Sequence, residues 1–228
     1  MSTKKRTADD GRQENGPPLA RAVVSLGLVE IIAWGTTVYA LAVLGGPIGA
    51  DTGWSRSTVF AGMTIGLLVS GAVSTRVGRA TDRHGAMVVM ALGSLVAAAS
   101  LAGLSRATSE AGYLAAWIGV GLAMRMTLYD AAFAAMVEVA PHRGRRAIGY
   151  VTLFGGLAST VFWPVGHWLA VAVGWRGALM VFAALHLLVS LPLVLYGLAG
   201  SRERRARAQH PAAVAAPSAP PLGDDAAA

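Results

Sequence analysis

Three charges stand inside otherwise apolar stretches of the chain: Glu30, Arg125 and Asp130. A carboxylate at such depth can take up and release a proton, and a guanidinium can hold an anion. A central charge costs about 2.5–3.5 kcal/mol of insertion free energy, whereas each Leu, Ile, Phe or Val returns only about 0.3–0.6 kcal/mol. The stretch that carries both Arg125 and Asp130 therefore inserts marginally alone, so partners or water must offset the cost. At helical spacing Trp34 and Thr37 share the face of Glu30, and Tyr129 shares that of Arg125. Asp130, five residues from Arg125, faces elsewhere. The plainer alternative is structural, with Glu30 reaching interfacial water and Arg125 pairing with a buried acid. The single histidines His167 and His186 read as hydrogen-bonded packing residues. Gly119, Gly121, Gly155, Gly156 and Ser159 read as places of close helix contact, and Pro164 and Pro192 as bends without chemistry.

A second constellation lies in the polar run Arg76 to Gly85, where Gly78 is followed by Asp82, Arg83 and Gly85. Its glycines permit a tight turn between two helix ends. The Asp82 carboxylate suits a helix N-terminus, and Arg83 can reach the last carbonyls of a neighbouring helix. Such a clamp can hold one conformation and release another. The alternative is a basic turn that only anchors topology.

The elements that must position these groups are membrane helices. Of the 228 residues 54% are hydrophobic and 14% charged, with a mean hydropathy of +0.54, which is too apolar for a soluble domain. Six apolar segments, 22–48, 58–77, 86–104, 111–139, 147–173 and 177–199, each match or exceed the roughly 17–25 residues that a hydrocarbon core of about 30 Å requires. The expected fold is all-α and polytopic. Residues 1–21 are expected as a disordered cytoplasmic lead, 22–199 as the transmembrane domain and 200–228 as a basic, then Ala/Pro-rich tail. The basic lead resembles a signal peptide, but the first apolar run is long and lacks a small-x-small cleavage site, so an uncleaved helix is expected.

Charge sets the orientation. With both termini cytoplasmic, the inner segments hold Lys4, Lys5, Arg6, Arg12, Arg21, Arg76, Arg79, Arg83, Arg143, Arg145, Arg146, Arg202, Arg204, Arg205 and Arg207, against Arg56, Arg106 and Arg176 outside. That asymmetry, fifteen to three, alternates loop by loop. Trp54, Trp117, Trp168 and Trp175 fall near the outer ends, where an aromatic belt is expected. The net charge of +7 reads as topology and not as nucleic-acid binding, because no basic face is interleaved with aromatics. There is no cysteine, which excludes thiol chemistry and Cys-based metal sites. No G-x-x-x-x-G-K-[ST] and no partnered G-x-S-x-G nucleophile occur, so neither a fused ATPase nor an intramembrane serine protease is expected. No cofactor, metal or enzymatic activity is expected.

The G-x-x-x-D-R-x-G spacing of Gly78, Asp82, Arg83 and Gly85 resembles the loop between helices 2 and 3 of the major facilitator superfamily of secondary transporters. Gly53-Trp54-Ser55-Arg56 resembles the start of helix 2 in its monocarboxylate-transporter-like and oxalate/formate-antiporter-like branch. The run Pro141-His142-Arg143-Gly144-Arg145-Arg146-Ala147 with Gly149 resembles the start of helix 5, and Gly174-Trp175-Arg176 the approach to helix 6. Ala86 and Met87 depart from the basic residue usual after the motif's last glycine, and Gly155, Gly156, Pro164 and Gly166 match only part of the antiporter pattern. The resemblance covers residues 22–199, the amino-terminal half of such a transporter, built as two inverted three-helix repeats.

That resemblance implies secondary transport of a small solute, with an anion of the carboxylate type as the expected class, by proton coupling or by exchange. In the family helices 1 and 4 line the cavity, and Glu30 with Arg125 resembles the carboxylate–arginine pair of some proton-coupled members. Glu30 would exchange a proton while Arg125 neutralises it or holds the substrate, with Trp34, Thr37, Tyr129 and Asp130 along the pathway. The implied partners are membrane lipid, the solute, and a second copy or a separate carboxyl-terminal half. The implied location is the inner, or plasma, membrane. The competing class is a non-transporting fragment or helper subunit packed on another membrane protein.

Overall fold

The computed structural model describes residues 17–141 and 143–201. Lys4, Lys5, Arg6, Arg12, Arg202, Arg204, Arg205, Arg207 and His142, with most of the expected lead and tail, lie outside the described residues. All regular structure in the described residues is helical. In order it is α1 Pro17–Trp34, a π turn Gly35–Tyr39, α2 Ala40–Thr52, α3 Arg56–Ala72, α4 Ser74–His84, α5 Ala86–Ser105, α6 Glu110–Thr127, α7 Tyr129–Val139, α8 Gly144–Gly156, α9 Ala158–Leu185, a second π turn His186–Ser190, and α10 Leu191–Gly197. α1 begins inside the expected lead, because prolines are tolerated in a first turn that has no donor to lose.

Among the described residues four helical stretches are long and apolar enough to cross a membrane, Leu19–Thr52, Ala86–Ser105, Glu110–Val139 and Gly144–Gly197, where six separate spans were expected. The pair α3 and α4, bent by 52°, makes a fifth when taken as one span. The bend sits at Val73 between Gly71 and Ser74, where small residues leave the helix easiest to kink. The stretch Gly144–Gly197 is 54 residues long, about 80 Å if straight at 1.5 Å per residue. It is not straight. Gly174 adopts φ 72°, ψ 171°, which ends helical geometry there. Both ends of the stretch, α8 and α10, pack against α1, so the chain doubles back at Gly174.

The two ends of the bundle are tied differently. At one end the Arg21 guanidinium donates to the Ala199 carbonyl at 2.9 Å and lies over the Tyr196 ring. There too the Glu138 carboxylate accepts the Ala86 N–H at 3.1 and 3.3 Å from its two oxygens, capping α5. At the other end Trp175 Nε1 donates to Asp51 at 3.0 Å, and Arg176 donates to the Ser105 and Ala107 carbonyls at 3.2 Å each. Tyr113 reaches the Val59 carbonyl at 2.8 Å. Glu138→Ala is expected to cost about 1 kcal/mol, the usual worth of an N-terminal cap, read as a lower thermal midpoint in detergent.

Between these ends lie two apolar clusters. One gathers Leu44, Ile48, Leu101, Tyr113, Trp117, Phe162, Trp175 and Phe182. The other is built from smaller residues, Ala22, Leu26, Val29, Met90, Ala132, Ala135, Met136, Val151 and Val194. The outer surface is also apolar, with Leu68, Leu153, Val171 and Leu188 largely exposed. In water that surface would drive aggregation, whereas in lipid it is the wetted face.

Two packing expectations change. Trp117 is only 3% exposed and lies against Gly62 and Gly66, so it belongs to the core and not to an interfacial belt. Trp175 is buried likewise, whereas Trp168 is exposed. His186 is a packing residue, its Nε2 2.8 Å from the Thr36 hydroxyl, but His167 is exposed.

Candidate functional site

Glu30 is fully buried on α1. One carboxylate oxygen accepts from Trp34 Nε1 at 3.0 Å, one helical turn on, and the other has no hydrogen-bond partner. An unpaired buried oxygen of an acid is costly unless the group is protonated or a partner arrives. The Trp34 ring lies 5.0 Å from that of Tyr129, which stacks on Phe133 at 5.2 Å. The Tyr129 hydroxyl donates to the Thr152 carbonyl of α8 at 3.2 Å. An aromatic wall thus joins α1, α7 and α8 beside the carboxylate. Thr37 is buried, but its hydroxyl is spent on the Ala33 carbonyl at 2.6 Å. The π turn also brings its neighbour Thr36 to His186.

Arg125 does not pair with Glu30. It forms a hydrogen-bonded ion pair with Asp130, contrary to the expectation that Asp130 faces elsewhere. The reason is a break in the helix. Leu128 has φ −80°, ψ −174°, extended geometry between α6 and α7, so the spacing of five residues no longer sets the angle between the two side chains. The same break turns Tyr129 toward Trp34.

The pair lies in a cavity of about 90 Å³ shared with Val77, Gly78, Thr81, Asp82, Ala131 and Ala134. The motif of α4 and the charges of the α6–α7 stretch therefore form one place. Asp130 remains 65% exposed there, and an added Cβ at Gly78 would meet nothing within 4 Å.

The expected clamp differs in its parts. Gly78, Asp82 and Arg83 lie on α4 and not in a loop, since nothing in the run stops a helix before Gly85, whose φ is 88°. Asp82 and Arg83 are exposed and make no hydrogen bond or ion pair among the described residues. The carboxylate at the start of α5 is Glu138. Sequence reasoning missed both Glu138 and Phe133. The signal for Phe133 was its place four residues after Tyr129, and for Glu138 its place as an acid at the end of an apolar segment. Among the described residues no three His, Asp or Glu side chains converge as a metal ion requires.

The sequence profile of the Major Facilitator Superfamily matches residues 25–223, most of the chain. The chain belongs to the Major Facilitator Superfamily. No curated protein matches it. Members of this superfamily are transporters, so the chain is a multi-pass membrane protein of a transporter family. Of the side chains described above, Glu30 is buried within the helical bundle of this major facilitator protein, whereas the Arg125–Asp130 pair stays open to the surface on its Asp130 side.

Proposed function

We propose that this chain moves a small anionic solute of the carboxylate type across the cell's inner membrane, with Glu30 carrying the coupled proton. The observation that carries this reading is the fully buried Glu30 carboxylate, held at one oxygen by Trp34 and unpartnered at the other. Such a group is poised between a protonated state, which needs no counter-ion, and an ionised one, which does. Arg125 serves as the anion-holding group and Asp130 as its resident stand-in, which an incoming carboxylate displaces. Trp34, Tyr129 and Phe133 wall the path, and Thr37 contributes packing.

The scheme takes six crossings, counting the bent α3–α4 pair as one and the doubled stretch Gly144–Gly197 as two. The end carrying Arg21, Arg76, Arg79, Arg83, Arg143, Arg145 and Arg146 is cytoplasmic by the positive-inside rule. The landmarks at Gly53–Arg56 and Gly174–Arg176 favour the monocarboxylate-transporter-like or oxalate/formate-antiporter-like branch. The open side of the Arg125–Asp130 cavity favours a partner body, a second copy or a separate carboxyl-terminal half, because an ion pair facing lipid is costly.

The test is accumulation of a panel of short carboxylates in liposomes containing the purified chain under an imposed pH gradient. A folded, inserted protein that accumulates none of them in either orientation, alone or with its partner half, overturns the reading and favours a helper subunit. Asp130→Asn is expected to lower the KM for an anionic solute about tenfold, since a charge-assisted hydrogen bond of about 1.5–3 kcal/mol no longer competes for Arg125. Arg125→Gln is expected to abolish uptake.

A further inference from the structure

The end of the bundle that carries most of the arginines holds a groove that the transport scheme does not use. Its walls are Leu19, Val23 and Val24 of α1 with Ala147 and Tyr150 of α8, its rim is Arg143 and Arg146, and its volume is about 310 Å³. The walls are apolar and open sideways, with Val24 49% and Tyr150 46% exposed. Neither the Arg143 nor the Arg146 guanidinium has an ion-pair or hydrogen-bond partner among the described residues. Arg21, Arg125 and Arg176, by contrast, are all engaged.

Local electrostatics sharpen the contrast. α8 starts at Gly144 with no side-chain cap and no acidic residue in its first turn. The positive end of its backbone dipole therefore adds to the two guanidinium groups, an arrangement that is unfavourable until an anion neutralises it. A cationic rim above an apolar slot complements a molecule with an anionic head and a hydrocarbon tail. A soluble anion would leave the slot unfilled, and an acidic peptide would have to bury backbone polar groups against apolar walls facing lipid.

We propose that this groove binds one anionic phospholipid from the adjacent leaflet, its phosphate between Arg143 and Arg146 and one acyl chain along Val23, Val24 and Tyr150. The site needs only the membrane assignment and is independent of the transport reading. A lipid held there bridges the start of α1 to the start of α8 and stiffens that end of the bundle.

The test is native mass spectrometry of the full chain, released from neutral detergent and titrated with phosphatidylglycerol or with phosphatidylcholine of the same acyl chains. One phosphatidylglycerol is expected to bind at a concentration about tenfold lower than phosphatidylcholine. Arg143→Gln with Arg146→Gln should erase that preference, whereas Arg76→Gln with Arg79→Gln, which removes the same charge from α4, should keep it. Val24→Trp, which fills the slot, should weaken phosphatidylglycerol binding with both arginines present. Equal binding of the two lipids by the unmodified chain overturns the proposal. So does an equal loss in the Arg76/Arg79 variant, tight binding that survives Val24→Trp, or displacement of the lipid by millimolar glycerol phosphate.

Discussion

Glu30→Gln is expected to abolish solute accumulation driven by a pH gradient while leaving the protein folded. The amide matches the acid in shape, and its oxygen can still accept from Trp34 Nε1, so the contact between Glu30 and Trp34 survives. The variant loses the ability to release a proton. Uptake should therefore become flat across pH, with gradient-driven accumulation reduced at least about tenfold. Exchange of labelled for unlabelled solute, which requires no net proton movement, should persist. The measurement is paired counterflow and gradient-driven uptake in liposomes. Unchanged proton dependence would remove Glu30 from the mechanism, and loss of both modes would make it a binding residue.

The second large effect is expected at Gly121. A Cβ there would lie 2.3 Å from the Gly66 carbonyl oxygen and 2.8 Å from its Cα, backbone against backbone between α6 and α3. No side chain can swing aside to relieve it, so the two helices must separate. Overpacking costs about 1–3 kcal/mol where side chains can adjust, and this contact falls at or above the upper end. Gly121→Ala should therefore lower the thermal midpoint sharply or leave little folded protein. Gly156→Ala is the control, because a Cβ at Gly156 meets nothing within 4 Å and the change should be nearly neutral. Equal midpoints for the two variants would show that α3 and α6 do not meet as closely as this.

Sequence reasoning treated these two glycines alike, since composition shows where small residues occur but not what faces them. The same boundary runs through the rest of the molecule. Apolar length marked the stretches that can cross a membrane, but where six separate spans were expected the described residues form four long apolar helical stretches and a fifth only as the bent α3–α4 pair. The bend at Val73 and the two π turns were not read from the sequence, although the small residues that ease the bend are local to it. The charged residues of the candidate site stood out at once, since a charge in an apolar run is conspicuous in any fold. Their pairing did not. A regular helix would have kept Asp130 off the face of Arg125, and the extended Leu128 broke that rule.

The amino-acid sequence by itself determined that this is an all-helical membrane protein of the major facilitator superfamily, and that Glu30, Arg125 and Asp130 stand within apolar stretches of the chain. Both follow from properties local to the chain, the transfer cost of each side chain and the length of each apolar run. Only the tertiary structure decided which charge meets which, that Glu138 and not Asp82 caps α5, and that two unpaired arginines stand over an apolar groove. Those are relations between residues far apart in the chain or across a broken helix. Their angles and distances come from packing, which no single stretch of sequence contains.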